Sequence, residues 1–350
     1  MIRLIALLML LALPAAAQDT PRGGLEAAER FGPATAATVL RLRTTTDIDV
    51  LGPAIAAFTA ARPGLAVEFE QWGSNALYDA ARADCAAGRA GADALLSSAV
   101  DQLVELVNLG CAQPWRSGAT LALPEARRWR DELWGLTREP AVILYNRRLV
   151  PPEDVPRSRF DLLDLMRRDD HRYQGRIATY DIEASGLGYL FAFADSLEAT
   201  SFGAALEGFA RAGAVATCCS AEIIEGVSQG RWLIAYNVLG SYAAARPAPE
   251  VGVIAPEDYT LILTRAYMIP RAAAAPGPAA ELLDFLLGAE GQRLMAARGL
   301  ILDPDRGNSG EAESTERPIR IGPALLVARD AEKRRAFIRR WRETFPRPTP

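Results

Sequence analysis

Short apolar runs and amphipathic stretches alternate along most of this chain. Residues 39–44 predict a strand and residues 50–61 an amphipathic helix, stopped by Pro63-Gly64; residues 65–72 alternate as a second strand. Gly73-Ser74-Asn75 opens a helix to about residue 87, with Ser74 or Asn75 expected to accept from its first free backbone donors. Residues 92–96 form a third short strand, and Ser97-Ser98 leads into a helix over 100–109. This rhythm of strand and helix implies right-handed crossovers and a parallel sheet.

The rhythm changes near Trp134. Residues 134–137 and 141–145 read as extended around Pro140. A new unit follows, with helices over 160–166, 189–194, 202–212 and 220–229 and strands at 175–180 and 232–236. Residues 260–269 read as one long extended run. Helices at 278–287, 289–298 and 330–342 come after it, and residues 303–318, rich in Gly, Ser and Glu, read as a surface loop. The fold class is therefore α/β with two lobes, each a mainly parallel sheet flanked by helices. The expected partition is residues 36–138 with 260–350 in lobe 1 and 142–245 in lobe 2, with crossings near 137–145 and 243–261. Two crossings make a hinge, and a ligand closes hinged lobes by binding between them.

Ahead of this pattern, Arg3, an apolar run over 4–13 and Pro14-Ala15-Ala16-Ala17 make a secretory leader, residues 1–17, cleaved after Ala17. No Cys stands at the cleavage site, so no lipid anchor is expected, and no later run reaches the ~18 apolar residues of a membrane span. An exported, soluble protein follows. Half the residues are hydrophobic and 23% are charged, which is globular composition. Loss of Arg3 with the leader leaves 38 basic against 43 acidic residues, a net charge of -5 that argues against nucleic acid as a partner.

Four cysteines in an exported chain permit disulfides. Cys85 with Cys111 is the first choice, since both fall in lobe 1. The adjacent Cys218 and Cys219 admit a vicinal disulfide, a thiol pair or a soft-metal site. The simplest account is two small apolar side chains entering a helix, at most one of them bridged elsewhere. No C-x-x-C or histidine-rich partner supports a metal.

Several short motifs resemble those of the periplasmic solute-binding proteins of ABC-type transport systems, in the type II fold and its ferric-iron-type branch. Leu144-Tyr145-Asn146-Arg147 resembles the family's "YN" step, and Tyr173-Gln174-Gly175-Arg176-Ile177-Ala178 its "w-k-G-k-i-a" strand. Gly226-Val227-Ser228-Gln229-Gly230 resembles its "v-x-x-G" step, and residues 282–292 its "f-l-d-f-l-l-s-x-e-G-Q" ending. The resemblance implies a monomeric receptor that closes on a small solute and presents it to a membrane permease or to a sensor kinase. It implies no cofactor and no catalysis.

Ligands of open α/β sheets sit beyond the carboxyl ends of strands. That rule selects Thr45, Thr46, Ser74, Asn75, Ser97 and Ser98 in the first lobe. In the second it selects Ser185, Gly186, Tyr236, Asn237 and Tyr242, with Tyr145 near the hinge. Each Ser or Thr alone reads as an ordinary helix cap; their convergence on one cleft points to a ligand. Ferric sites of the resembled branch use an adjacent Tyr-Tyr pair where this chain has Val238-Leu239-Gly240, with tyrosines at Tyr236 and Tyr242 instead. The one histidine, His171, lies in a charged run and reads as surface. Hard Fe(III) wants several oxygen anions, so an anionic carboxylate or phosphate ester fits better and no metal ligand is expected. No G-x-S-x-G, H-E-x-x-H or Walker motif marks an enzyme.

Overall fold

A computed structural model describes residues 24–301 and 315–345. The expected leader and most of the expected loop over 303–318 lie outside the described residues.

The first sheet is built from β1 (Leu25–Phe31), β2 (Thr38–Thr44), β3 (Leu65–Trp72), β4 (Ala94–Ser97), β5 (Arg128–Trp129), β6 (Leu133–Gly135) and, later in the chain, β13 (Ala266–Met268). Its order is β1-β3-β2-β4-β13-β6-β5. Helices α1 (Ile48–Ala60) and α2 (Ser74–Ala86) cross between β2, β3 and β4, so these three strands are parallel. Helices α3 (Val100–Asn108) and the short α4 (Gly118–Leu121) lead to β5 and β6. Strand β1 precedes the first predicted strand. It pairs antiparallel with β3 from Leu25↔Trp72 to Phe31↔Val67, which brings its start to the carboxyl end of the sheet.

The second sheet takes β7 (Glu139–Asn146), β8 (Ile177–Tyr180), β9 (Val215–Thr217), β10 (Ile234–Leu239), β11 (Val251–Ile254) and β12 (Thr260–Leu263). With β14 (Glu316–Pro318) at one edge, its order is β14-β12-β7-β10-β8-β9, and β11 also pairs with β7. Helices α5 (Arg159–Arg167), α6 (Gly186–Glu198), α7 (Phe202–Arg211), α8 (Ser220–Ser228) and α9 (Gly240–Ala245) connect its strands. After β12 the chain returns to the first sheet as β13 (Ala266–Met268), then forms α10 (Pro276–Leu287) and α11 (Ala289–Ala296). Strand β14 (Glu316–Pro318), α12 (Leu326–Arg329) and α13 (Ala331–Thr344) end the described chain.

Both sheets are mixed: the parallel trio β3-β2-β4 has an antiparallel strand on each side, and the trio β10-β8-β9 has antiparallel β7 beside β10, with β9 at the sheet edge. Strands that enter from the hinge run against the crossover strands, which is why neither sheet is parallel throughout. The expected run over 260–269 is broken at Thr264-Arg265, and the return to the first sheet lies there instead of at 243–261, because β11 and β12 both pair with β7. The C-terminal segment also departs from the expected partition. Strand β14 pairs with β12, and Phe337, Trp341 and Phe345 of α13 and its end pack into the second lobe's core beside Tyr189, Phe209 and Tyr236.

The motif residues hold these elements together. Asn146 donates to the carbonyls of Val227 and Ser228, and its own amide oxygen accepts from Arg148 and Leu149. Gly291 leaves no room for a side chain, because a Cβ there would lie 2.2 Å from the Phe285 carbonyl. Neighbouring Gln292 donates to Leu286 at the end of α10 and to Leu136 at the first crossing. His171 is exposed, as its charged setting implies.

Candidate ligand-binding cleft

Between the lobes lies a cavity of about 250 Å³. From the first lobe it is lined by Glu26, Thr45, Asp47, Gln71, Trp72, Gly73, Ser74 and Ser98. The second lobe adds Tyr180, Ser185, Leu187, the Cys218-Cys219 pair and Ser220, with Tyr242 at the start of α9. Thr45 and Ser98 follow β2 and β4, which are adjacent but face different crossover directions; their hydroxyls bond at 3.2 Å, and Thr45 N–H donates to the Leu96 carbonyl. This is the point of reversing strand order at which such sheets bind ligands.

Helix starts surround the cavity. Neither Gly73 at the head of α2 nor Cys219 at the head of α8 supplies a side-chain cap, so first-turn N–H groups of both helices lack that partner. Ser185 caps α6 by accepting from Gly188 N–H at 3.0 Å. Ser74 does not cap its own helix as expected; its Oγ accepts from Gly186 N–H across the cleft at 2.8 Å. Asn75 likewise bridges the lobes, donating to the carbonyls of Glu183 and Ala184 while accepting from Gln102.

Among the described residues, no Arg or Lys lines this cavity. Asp47 is neutralised from one side by Arg246 at 2.7 Å and accepts from Gln71 and Tyr242. Glu26 accepts from the Gln71 amide at 3.1 Å. Burial pushes the Tyr242 phenol above its ordinary range, with Arg265 opposing the shift only in part. Burial also raises Tyr180, whose hydroxyl meets Ser220 Oγ at 2.6 Å and accepts from Leu239 N–H. Both therefore stand in the cleft as neutral phenols.

Thus Thr45, Ser74, Ser98, Ser185 and Tyr242 line the cavity, and Asn75 and Gly186 tie its rim. The remaining expected contacts lie elsewhere. Thr46 is fully buried and accepts from Arg265, and Ser97 accepts from Ala99 N–H. The Tyr145 ring covers Gly252 of β11. Asn237 adopts φ +57°, and the ladder between β10 and β7 shifts register between Ala235 and Val238. This bulge carries β10 on to Leu239 and sends Tyr236 into the second lobe. There its hydroxyl donates to Asp195 at 2.5 Å and accepts from Arg159 at 2.6 Å. Tyr236 of β10 therefore faces the interior of the second lobe, whereas Tyr242 sits on α9 and faces the cleft. Among the described residues no group of three or more His, Cys, Asp or Glu side chains could hold a metal ion.

Beneath the cleft, Arg265 and Glu139 form a buried pair at 2.9 Å, one from each crossing. Thr137 donates to Glu139, Ser241 closes on its other oxygen, and Arg265 reaches Thr46 and the Thr45 carbonyl. Sequence reasoning missed this pair, as it missed Glu26, Asp47, Gln71 and Ser220. Only the hydroxyl and amide character of strand ends was visible along the chain.

Residues 48–293 match the family model of the bacterial extracellular solute-binding protein. The chain belongs to this family. Solved structures of ABC-transporter substrate-binding proteins share its fold. The substrate-binding protein of an ABC transporter from Agrobacterium tumefaciens is 33% identical, with a TM-score of 0.85 over 92% of this chain and 99% of that one. Iron-bound HitA from Pseudomonas aeruginosa is 19% identical, with a TM-score of 0.66 over 88% and 99%. AfuA from Actinobacillus pleuropneumoniae, with exogenous fructose-6-phosphate bound, is 14% identical, with a TM-score of 0.69 over 89% and 99%. No curated protein sequence matches. This protein is an extracellular solute-binding receptor with the fold of ABC-transporter substrate-binding proteins.

Proposed function

We propose that the receptor closes on a small anionic organic solute, a carboxylate or phosphate ester, and hands it to an ABC-type permease without chemical change. One observation carries this reading: the uncapped starts of α2 and α8, one from each lobe, face the same cavity. Backbone N–H groups and the positive end of a helix favour an anion there. A solute that bridges both starts stabilises the closed form, and the permease distinguishes that form from the open one. Glu26 and Asp47 on the first-lobe wall suit hydroxyl or ammonium donors on the same solute, so the reading is an anion that also carries donors.

Ferric ion is the second reading, because one neighbour of the same fold is described as iron-bound. Against it stand the phenol of Tyr242, held protonated by burial, and Tyr236, engaged with Asp195 and Arg159 outside the cleft. Thermal-shift measurements on the mature protein separate the two. Sugar phosphates, hydroxy acids and amino acids are screened beside ferric salts and ferric chelates. At a hundredfold excess over its dissociation constant, the right solute adds about 2.7 kcal/mol of stability. A response to Fe(III) alone that disappears in Tyr242→Phe would replace the anion by iron. Turnover of any screened compound would remove the receptor reading.

A further inference from the structure

The second-lobe wall of the cavity contains a disulfide between neighbouring residues, Cys218 and Cys219. The simpler expectation of two apolar side chains entering a helix does not hold, whereas the expected Cys85–Cys111 bond is present. The two bonds differ in what governs their exchange. Attack on a disulfide requires a thiolate to reach a sulfur. Cys218 and Cys219 are exposed at the turn between β9 and α8, and neither belongs to a hydrophobic cluster. Cys111 is 5% exposed inside the first lobe, with Cys85 half-buried against the same cluster. A cross-link also resists reduction to the extent that it restrains the unfolded chain. The Cys85–Cys111 bond spans a sequence separation of 26, while the neighbouring pair closes almost no loop. Neither burial nor the closing of a long loop therefore protects Cys218–Cys219.

We propose that Cys218–Cys219 is a reversible two-electron redox site on the cleft wall, opened by a dithiol and re-formed by a disulfide. A thiolate of the dithiol attacks one ring sulfur and the other leaves as thiolate. The second thiol of the reagent then resolves the mixed disulfide and departs as a cyclic disulfide. Two electrons pass to the protein and two protons end on the cysteines. Cys219 stands at the cap position of α8, so its released sulfur can accept from the first-turn N–H groups that the oxidised form leaves uncapped. Reduction thus competes for the donors assigned above to the solute. This consequence rests on the proposed function; the exchange chemistry does not.

The test uses the native mature protein, treated with increasing dithiothreitol, trapped with N-ethylmaleimide and mapped by peptide mass. Labels on Cys218 and Cys219 are expected at a reductant concentration at least ~10-fold below that needed to label Cys85 and Cys111. An added small-molecule disulfide should restore the pair. Labelling of Cys85 and Cys111 first, or of all four together, overturns the proposal. The Cys218→Ser/Cys219→Ser variant, expected to keep its melting temperature, should take no label in the low-reductant range; label on it there would equally overturn the assignment. Small-angle scattering addresses placement. Two maleimide groups in the cleft should hold the lobes apart and raise the radius of gyration above that of the serine variant carried through the same treatment. An unchanged radius with normal labelling would remove the site from the cleft wall and leave the redox chemistry standing.

Discussion

Two tyrosines on one short segment have opposite fates. Tyr236 is held inside the second lobe by Asp195 and Arg159, and Tyr242 lines the cleft with weak bonds of 3.2 and 3.3 Å to the Thr45 carbonyl and Asp47. Removing the Tyr236 hydroxyl leaves charged partners short of a bond in a buried place. Tyr236→Phe should therefore cost about 1–3 kcal/mol in chemical denaturation and leave solute response intact. Tyr242→Phe should do the reverse, with a small stability change and a reduced thermal shift with the solute. Asp101 supplies a second expectation. Burial pushes its carboxyl up to about 6, with Arg329 at 3.6 Å offsetting only part of the cost and Arg334 acting in the same sense as Arg329. The folded state then binds this proton more tightly than the unfolded chain, whose value is 3.8. The contribution is fully present below pH 4 and is lost as pH rises through 6. It amounts to about 3 kcal/mol from a two-unit shift. Stability measured by urea denaturation from pH 4 to 7 should lose that slope in Asp101→Asn.

At the scale of elements, the hinge is two strand crossings locked by one buried ion pair. Arg265→Met leaves Glu139 charged and unpaired at zero exposure, which should cost about 3–5 kcal/mol. Replacing both, as Glu139→Leu with Arg265→Met, should recover much of that loss in the same denaturation experiment. A double variant as unstable as the single one would show that Thr137 and Ser241 need the carboxylate. The crossings themselves were partly legible. Pro140 and the extended runs around it marked the first. The second was misplaced because the apolar residues on both sides of Thr264-Arg265 read as one extended run, and periodicity cannot show that this polar pair divides it between two sheets. The bulge at Asn237 was equally hidden. Asn tolerates the left-handed conformation, but whether a strand bends there depends on what β7 offers as a partner.

For the whole molecule, closure is a matter of small contacts across the cleft. Gly186 meets the first lobe so closely that a Cβ there would lie 2.5 Å from the Gln102 amide and 3.0 Å from Ala99 Cβ. Gly186→Val should wedge the lobes apart, raising the radius of gyration in small-angle scattering while each lobe keeps its fold. An unchanged radius would mean that the lobes slide and do not hinge at this rim.

Hydrophobic periodicity determined most of the longer strands and helices, though not β1, β9, β11 or α9, and ordered motifs determined the two-lobed receptor, because those properties are local and repeat along the chain. The sequence also marked polar positions such as Thr45, Ser98 and Ser185 as candidates for a ligand. Which of them meet was decided by tertiary structure alone. A cleft is made of contacts between residues far apart in sequence: Glu26 reaches it through pairing of β1 with β3, Ser74 meets Gly186, and a one-residue bulge turns Tyr236 inward while Tyr242 lines the cleft. Side-chain direction reverses at every residue of a strand, so a single register shift decides the site and no linear pattern reports it.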